Sequence, residues 1–161
     1  MNTIPTPQEQ LVRAVELATA NVHNHGGPFG AVIVTADGRA FDGVNRVTDN
    51  NDPTAHAEVT AIRTACAALG TFDLTGATLY SSCEPCPMCL ASALWARVER
   101  VYFAADRYDA ASAGFDDAVF YEYFDTPVAE RLMPVGQLQT QDIPAVAPFD
   151  AWNANTARIA Y

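Results

Sequence analysis

The chain has 161 residues, the length of one ordinary domain, and half of it is apolar without any low-complexity tract. Its apolar runs are too short to cross a bilayer, and Met1-Asn2-Thr3-Ile4-Pro5 lacks the charged start and apolar core of a secretory signal, so a cytoplasmic globular protein is expected. The formal net charge of −10 argues against a nucleic-acid binder, which needs basic patches to neutralise phosphates.

Leu11, Val15, Ala18 and Val22 recur at helical spacing and predict a helix from about Gln8 to His23, stopped by Gly26-Gly27-Pro28. Ala31 to Thr35 reads as a strand, and Asp37-Gly38 as a hairpin turn into a second strand from Phe41 to Asn45. Asp49 to Pro53 reads as loop, with Pro53 at or just before a helix start and a helix from about Ala55 to Leu69 following. Ala77 to Ser81 is predicted as a buried strand, Cys86 to Arg97 as a helix and Val98 to Ala104 as another strand. Beyond these, a short helix is expected over Asp116 to Phe124, a strand over Gln137 to Thr140 and a last helix over Phe149 to Ile159. This order predicts an α/β fold of three layers, α/β/α, around one mixed sheet of about five strands. Residues 1–161 read as a single domain without repeat or linker.

Cys83, Cys86 and Cys89 crowd into seven residues, whereas a disulfide framework would spread its cysteines to staple distant segments. Cys66, at helical spacing with Val59, Ile62 and Leu69, reads as a small core residue. The charged residues are uneven as well: between Asp106 and Glu130 seven acids face one arginine, Arg107. Such a region repels a phosphate backbone, so a small neutral substrate is expected.

Two separated stretches carry the chemistry, His56-Ala57-Glu58 and Pro85-Cys86-Pro87-Met88-Cys89. One imidazole and two thiols make three ligands for a tetrahedral zinc ion, and the open fourth position would take a water. His56 with Glu58, and Cys86 with Cys89, are each expected in the first turn of a helix, where residues three apart share a face and the helix dipole favours thiolates. Helices that follow strands begin at the carboxyl edge of an open sheet, where ligands bind. The competing reading is a closed structural zinc knot with Cys83 as fourth ligand. That arrangement leaves Glu58 without work, and Pro85 breaks the chain between Cys83 and the helix. In the open site, zinc would bring the pKa of its water toward neutrality, and Glu58 would carry the protons. His-x-Glu followed by Pro-Cys-x-x-Cys is the signature of zinc-dependent base deaminases.

The chain resembles the bacterial guanine deaminases of the cytidine-deaminase superfamily over nearly its whole length. The segments that carry the resemblance are Gly26-Gly27-Pro28-Phe29-Gly30-Ala31-Val32, residues 51–63 around His56, residues 82–90 around Cys86, Gly114-Phe115-Asp116-Asp117 and a terminal Tyr161. The first three also occur in tRNA adenosine deaminases, so the last two discriminate the substrate. The resemblance implies a cytidine-deaminase-like fold, one Zn2+ per chain on His56, Cys86 and Cys89, and Glu58 as proton shuttle. It implies further that Asn45 and the backbone at Ala57 hold a purine, that Phe29, His56 and Trp95 border its ring, and that Asp117 assists proton transfer to the departing amine. Tyr161 would close the pocket of the other subunit, which implies a domain-swapped homodimer.

Conversion of guanine to xanthine and ammonia is the expected reaction, with no nucleic-acid or membrane partner. Guanosine or an aminotriazine such as ammeline would need the same mechanism. A tRNA adenosine deaminase would need a basic surface that this acidic chain lacks. Each role has a structural competitor. Asn45 can serve a turn, Trp95 and Phe29 can be core, Asp117 can be a solvated helix start, and His23 and His25 read as surface residues near a helix end.

Overall fold

In strand β1 (Gly30–Val34), Ala31, Val32 and Ile33 are all fully buried. Successive side chains of a strand point to opposite faces, so such a run needs cover on both. In the computed structural model, which describes residues 5–161, helix α1 (Pro7–His23) lies on one face and sets Ala14 against Val32 and Tyr80. On the other face Ala31, Ile33 and Leu79 meet Ala57, Ala61 and Ala65 of helix α3 (Ala57–Leu69) and Ala93 of helix α4 (Pro87–Trp95). This is the expected α/β/α layering. β1 pairs antiparallel with β2 (Ala40–Val44) and with β3 (Thr78–Cys83), and β3 pairs parallel with β4 (Arg100–Ala105).

Among the described residues the sheet is mixed, in the order β2-β1-β3-β4, with four strands rather than about five. Gln137 to Thr140 has the composition of a strand but takes no place in a ladder. Pairing partners are a tertiary matter that local alternation does not supply.

Two close approaches set the helices on the sheet. A Cβ on Gly30 would come within 2.4 Å of the Ala14 carbonyl oxygen, and one on Gly43 within 2.3 Å of both Ala57 O and Ala61 N. The missing side chain at Gly43 lets the first turn of α3 rest directly on β2, and that turn carries Glu58.

Several boundaries differ from expectation. A one-turn helix α2 (Val47–Asn50), closed by Asn51 in the left-handed region at φ 50, takes Asp49 and Asn50 out of the predicted loop. Helix α5 (Arg107–Ser112) is held by a capping box in which Asp106 accepts from the N–H groups of Tyr108 and Asp109. Helix α6 spans Ala118–Asp125. The last helix, α7 (Ala147–Ala154), begins earlier than expected because a proline suits its first turn. It ends earlier because the Asn155 side chain accepts from the N–H of Ala157 at 3.0 Å and turns the backbone away.

Two compact units divide the chain, one through Tyr121 and the other Glu122–Tyr161. The first holds the sheet and the core. The second contains α7 and a short 3-10 turn, with the Tyr123 hydroxyl donating to Met133 O and Trp152 meeting Tyr161 edge to face. It contains no buried residue. Among the described residues, no helix is long and apolar enough to cross a membrane.

Candidate metal centre

α3 and α4 each follow an extended residue that carries a donor atom. His56 and Cys86 are the N-caps of these helices, not members of their first turns, and neither side chain caps its own helix. Pro87 opens α4, where its missing N–H leaves nothing unsatisfied. Cys89 follows on the first turn and faces back toward Cys86.

The three donors converge. His56 Nδ1 lies 3.6 Å from Cys86 Sγ and 3.5 Å from Cys89 Sγ, and the two sulfurs are 3.7 Å apart. A tetrahedral ion with zinc–sulfur bonds of about 2.3 Å and zinc–nitrogen bonds of about 2.0–2.1 Å has ligand edges of about 3.8 Å between sulfurs and about 3.5 Å between sulfur and nitrogen. The residues present therefore fit zinc with little movement. Among the described residues this is the one cluster of metal-ligating side chains.

The two sulfurs lie within hydrogen-bonding distance of each other. Cys86 is drawn down to about 4, first by the hydrogen bond from Cys89 and then by His56, while that same bond and burial push Cys89 up. His56 is held above its ordinary value by its hydrogen bond with Cys86. Metal binding displaces protons from such ligands, and a low-lying Cys86 thiol beside His56 lowers that cost.

Cys83 stands apart from this set. Its thiol donates to Asp106 O at 3.5 Å, and burial pushes it up to about 11. A thiol that resists ionisation and is already engaged is a poor fourth ligand, so the donor set stays at three and the open site is favoured over the closed knot.

Glu58 is 6% exposed. Its Oε1 accepts from Ser81 Oγ at 3.0 Å and its Oε2 from Cys89 Sγ at 3.3 Å. Burial pushes this carboxyl up, opposed by these hydrogen bonds. Ser81 fixes the carboxylate from the neighbouring strand, a role that carried no sequence signal.

A cavity of about 480 Å³ opens beside the cluster, within the first unit. His56, Glu58 and Cys86 line it, together with Phe29, Asn45 and Asp117. Phe29 packs edge to face on Phe115, with ring centroids 5.0 Å apart. Asn45 is buried; its Oδ1 accepts from the N–H of Val47 at 3.2 Å, and its backbone oxygen accepts from Asn21 Nδ2 at 2.8 Å. Asp117 is raised by desolvation first and by the charge at Cys86 second. Ala57 is fully buried between the lining residues His56 and Glu58.

Trp95 differs from expectation, because it sits at the C-terminal end of α4, is 71% exposed and does not line the cavity. Its helix turns its small residues, Cys89 and Ala93, to the core instead. His25, expected as a mere surface residue, does line the cavity rim, as does Arg107. His25 has φ 65, an uncommon conformation for a residue with a side chain, imposed just before Gly26-Gly27.

Residues 5–105 match the cytidine and deoxycytidylate deaminase zinc-binding region. The chain is 52% identical to a guanine deaminase of Bacillus subtilis over 143 residues, which cover 88% of this chain and 90% of that protein. It superposes on a crystal structure of guanine deaminase from Bacillus subtilis with a TM-score of 0.91 at 48% identity, over 98% of this chain and 99% of the other. A tRNA-specific adenosine deaminase of Agrobacterium fabrum is 46% identical over 96 residues, but this covers only 56% of the chain and 62% of that protein.

Proposed function

This chain belongs to the cytidine and deoxycytidylate deaminase zinc-binding family, and from that premise we propose the residues with which it converts guanine to xanthine and ammonia. It is a zinc-dependent aminohydrolase that uses one Zn2+ per chain. The observation that carries the mechanism is the buried Glu58 carboxylate beside the three-donor cluster, at the wall of a cavity.

Bound by His56, Cys86 and Cys89, zinc supplies the Lewis acidity that makes a water ionisable near neutral pH. The remaining steps fall to the chain's own residues. Hydrolysis places a water oxygen on the ring carbon and releases the exocyclic nitrogen as ammonia, so protons must pass from water to nitrogen. Glu58 takes the first and delivers it to the ring nitrogen, then serves the departing amine. Its raised affinity for protons suits a group that both accepts and donates. Asp117, likewise raised, is the second carboxylate on the route to the leaving group.

Asn45 holds the purine edge with its side-chain amide, whose oxygen is already anchored by Val47. The backbone at Ala57 assists, and Phe29 and His56 border the ring. The guanine deaminase likeness covers 88% of the chain at 52% identity, against 56% of the chain for the tRNA-specific adenosine deaminase of Agrobacterium fabrum, which favours a free base over RNA. The net charge of −10 agrees with that choice.

We assign a homodimer in which the C-terminal unit is exchanged and Tyr161 closes the partner's cavity. A unit that buries no residue while leaving Leu132, Leu138 and Phe149 exposed by 86%, 91% and 67% needs cover from elsewhere. The first unit offers an apolar groove of about 440 Å³ lined by Val15, Ala18, Val22 and Ala104. On α4, Leu94 and Trp95 extend the apolar surface that a second copy would cover, which gives Trp95 its place outside its own cavity. The need for reduced Cys86 and Cys89 suits the cytoplasm.

Ammonia release measured across guanine, guanosine, adenine, cytosine, cytidine, ammeline and tRNA tests the substrate. Guanine is expected to give the highest kcat/KM. Turnover of another compound with guanine inert overturns the choice of base, and turnover of none overturns the mechanism.

A further inference from the structure

Arg107 is the one arginine among the acids between Asp106 and Glu130, and it lines the cavity. An isolated cation there looks like an anion receptor, yet it is already paired with a carboxylate. Its Nε and Nη2 donate to Glu84 Oε1 at 3.1 and 2.6 Å, and its backbone N–H donates to Glu84 Oε2 at 3.0 Å. Its guanidinium carbon sits 3.8 Å from the centroid of the Tyr121 ring, in cation–π contact. The Tyr121 hydroxyl in turn donates to Pro85 O at 3.0 Å.

These contacts fall on the two residues that precede Cys86. Pro85 and Pro87 flank that cysteine, and proline has no N–H, so the backbone around Cys86 is poor in donors that could anchor it. The side chains supply the missing anchors, Arg107 at Glu84 and Tyr121 at Pro85. Asp117 immediately precedes α6, four residues before Tyr121, and its carbonyl oxygen accepts from the N–H of Phe120 at 3.0 Å in that first turn. Fixing Tyr121 therefore fixes Asp117 as well, and one stack of ring and guanidinium joins both ends.

We propose that Tyr121, seated on the Arg107–Glu84 pair, is a positioning residue that holds the metal ligand Cys86 and the cavity carboxylate Asp117 in register. The inference rests on the deaminase reading for what Asp117 does, but its effect on Cys86 stands on the metal site alone. Tyr121 touches neither substrate nor metal and acts through the Pro85 carbonyl.

The test uses the full-length protein with cobalt(II) as the probe metal. Tyr121→Phe removes only the hydroxyl and leaves the ring over Arg107. Partners that orient metal ligands are worth about 10- to 100-fold in metal affinity or activity, so cobalt affinity by chelator competition is expected to fall by about tenfold or more. The cobalt absorption band is expected to shift, and kcat for guanine to drop with KM little changed. Wild-type affinity, spectrum and kcat in Tyr121→Phe overturn the proposal. If that variant does not accumulate folded, Arg107→Lys keeps the charge but loses the flat stack and the two-nitrogen grip, and wild-type behaviour there overturns it equally. Failure of the unmodified protein to bind cobalt would sink the metal-site reading itself, and cobalt binding without guanine turnover would sink only the substrate.

Discussion

Glu58→Gln isolates the proton chemistry from the architecture around it. Glutamine has the shape of glutamate, and its Oε1 can still accept from Ser81 at 3.0 Å, so no cavity opens and the wall between strand and helix persists. The amide replaces the oxygen that lies 3.3 Å from Cys89, and the three donors keep their places. What disappears is a carboxylate that touches the cluster at Cys89, 6% exposed and unable to be replaced by bulk buffer. A positioned general acid–base group contributes about 10²- to 10⁴-fold, which at about 1.36 kcal/mol per decade is about 2.7–5.4 kcal/mol of barrier. The measurements are kcat for guanine by ammonia release, zinc per chain by elemental analysis, and the thermal midpoint. The expected variant is folded, carries one zinc and has lost at least about two decades of kcat. Turnover within about tenfold of the parent, with zinc bound, refutes the shuttle role. Zinc lost together with rate would place Glu58 among the ligands instead.

Four further outcomes are expected. Cys83→Ala should retain one zinc per chain in elemental analysis, because its thiol serves Asp106 rather than the cluster; loss of the metal would revive the closed site. Gly43→Ala drives a Cβ into the α3 backbone at 2.3 Å and should cost about 1–3 kcal/mol in denaturant unfolding, with an unchanged midpoint counting against the close packing. Deleting Tyr161 should lower kcat/KM for guanine while leaving zinc content intact, and unaltered kinetics would remove the C-terminus from the site. Asp37 is drawn down from 3.8 to about 2 by its hydrogen bonds with Arg39 first and Thr35 second. A depressed carboxylate contributes stability that is present above its ordinary value and lost as pH falls through the folded one, so an NMR titration should place its midpoint near 2 rather than near 3.8.

Much of the site was legible because its chemistry is local. Spacing two residues apart placed His56 beside Glu58, and spacing three apart placed Cys86 beside Cys89, each pair at a helix entrance. The flaw was one of detail: His56 and Cys86 precede their helices as N-caps, since an extended residue there aims its side chain across the sheet edge. Ser81 and Tyr121 escaped notice, and Arg107 was read only as a lone cation among acids, for a different reason. A serine in a strand or a tyrosine in a helix has no spacing signal, and its partners lie 23, 23 and 36 residues away. Trp95, which the resemblance placed at the purine ring, is exposed and outside the cavity because α4 turns Cys89 and Ala93 to the core instead. The expected strand over Gln137 to Thr140 failed likewise, since a ladder needs a partner.

By itself, then, the order of residues determined the donor types, the carboxylate beside them and the α/β layering, because donor chemistry and periodicity are properties of short stretches. Only the tertiary structure decided that Nδ1 and two sulfurs meet within 3.7 Å, that Cys83 stays outside, and that the sheet has four strands. Those outcomes depend on Gly43 letting α3 settle on β2 and on prolines surrendering Cys86 to the side chains around it. Close contact between distant segments is set by how layers pack, and no local pattern encodes it.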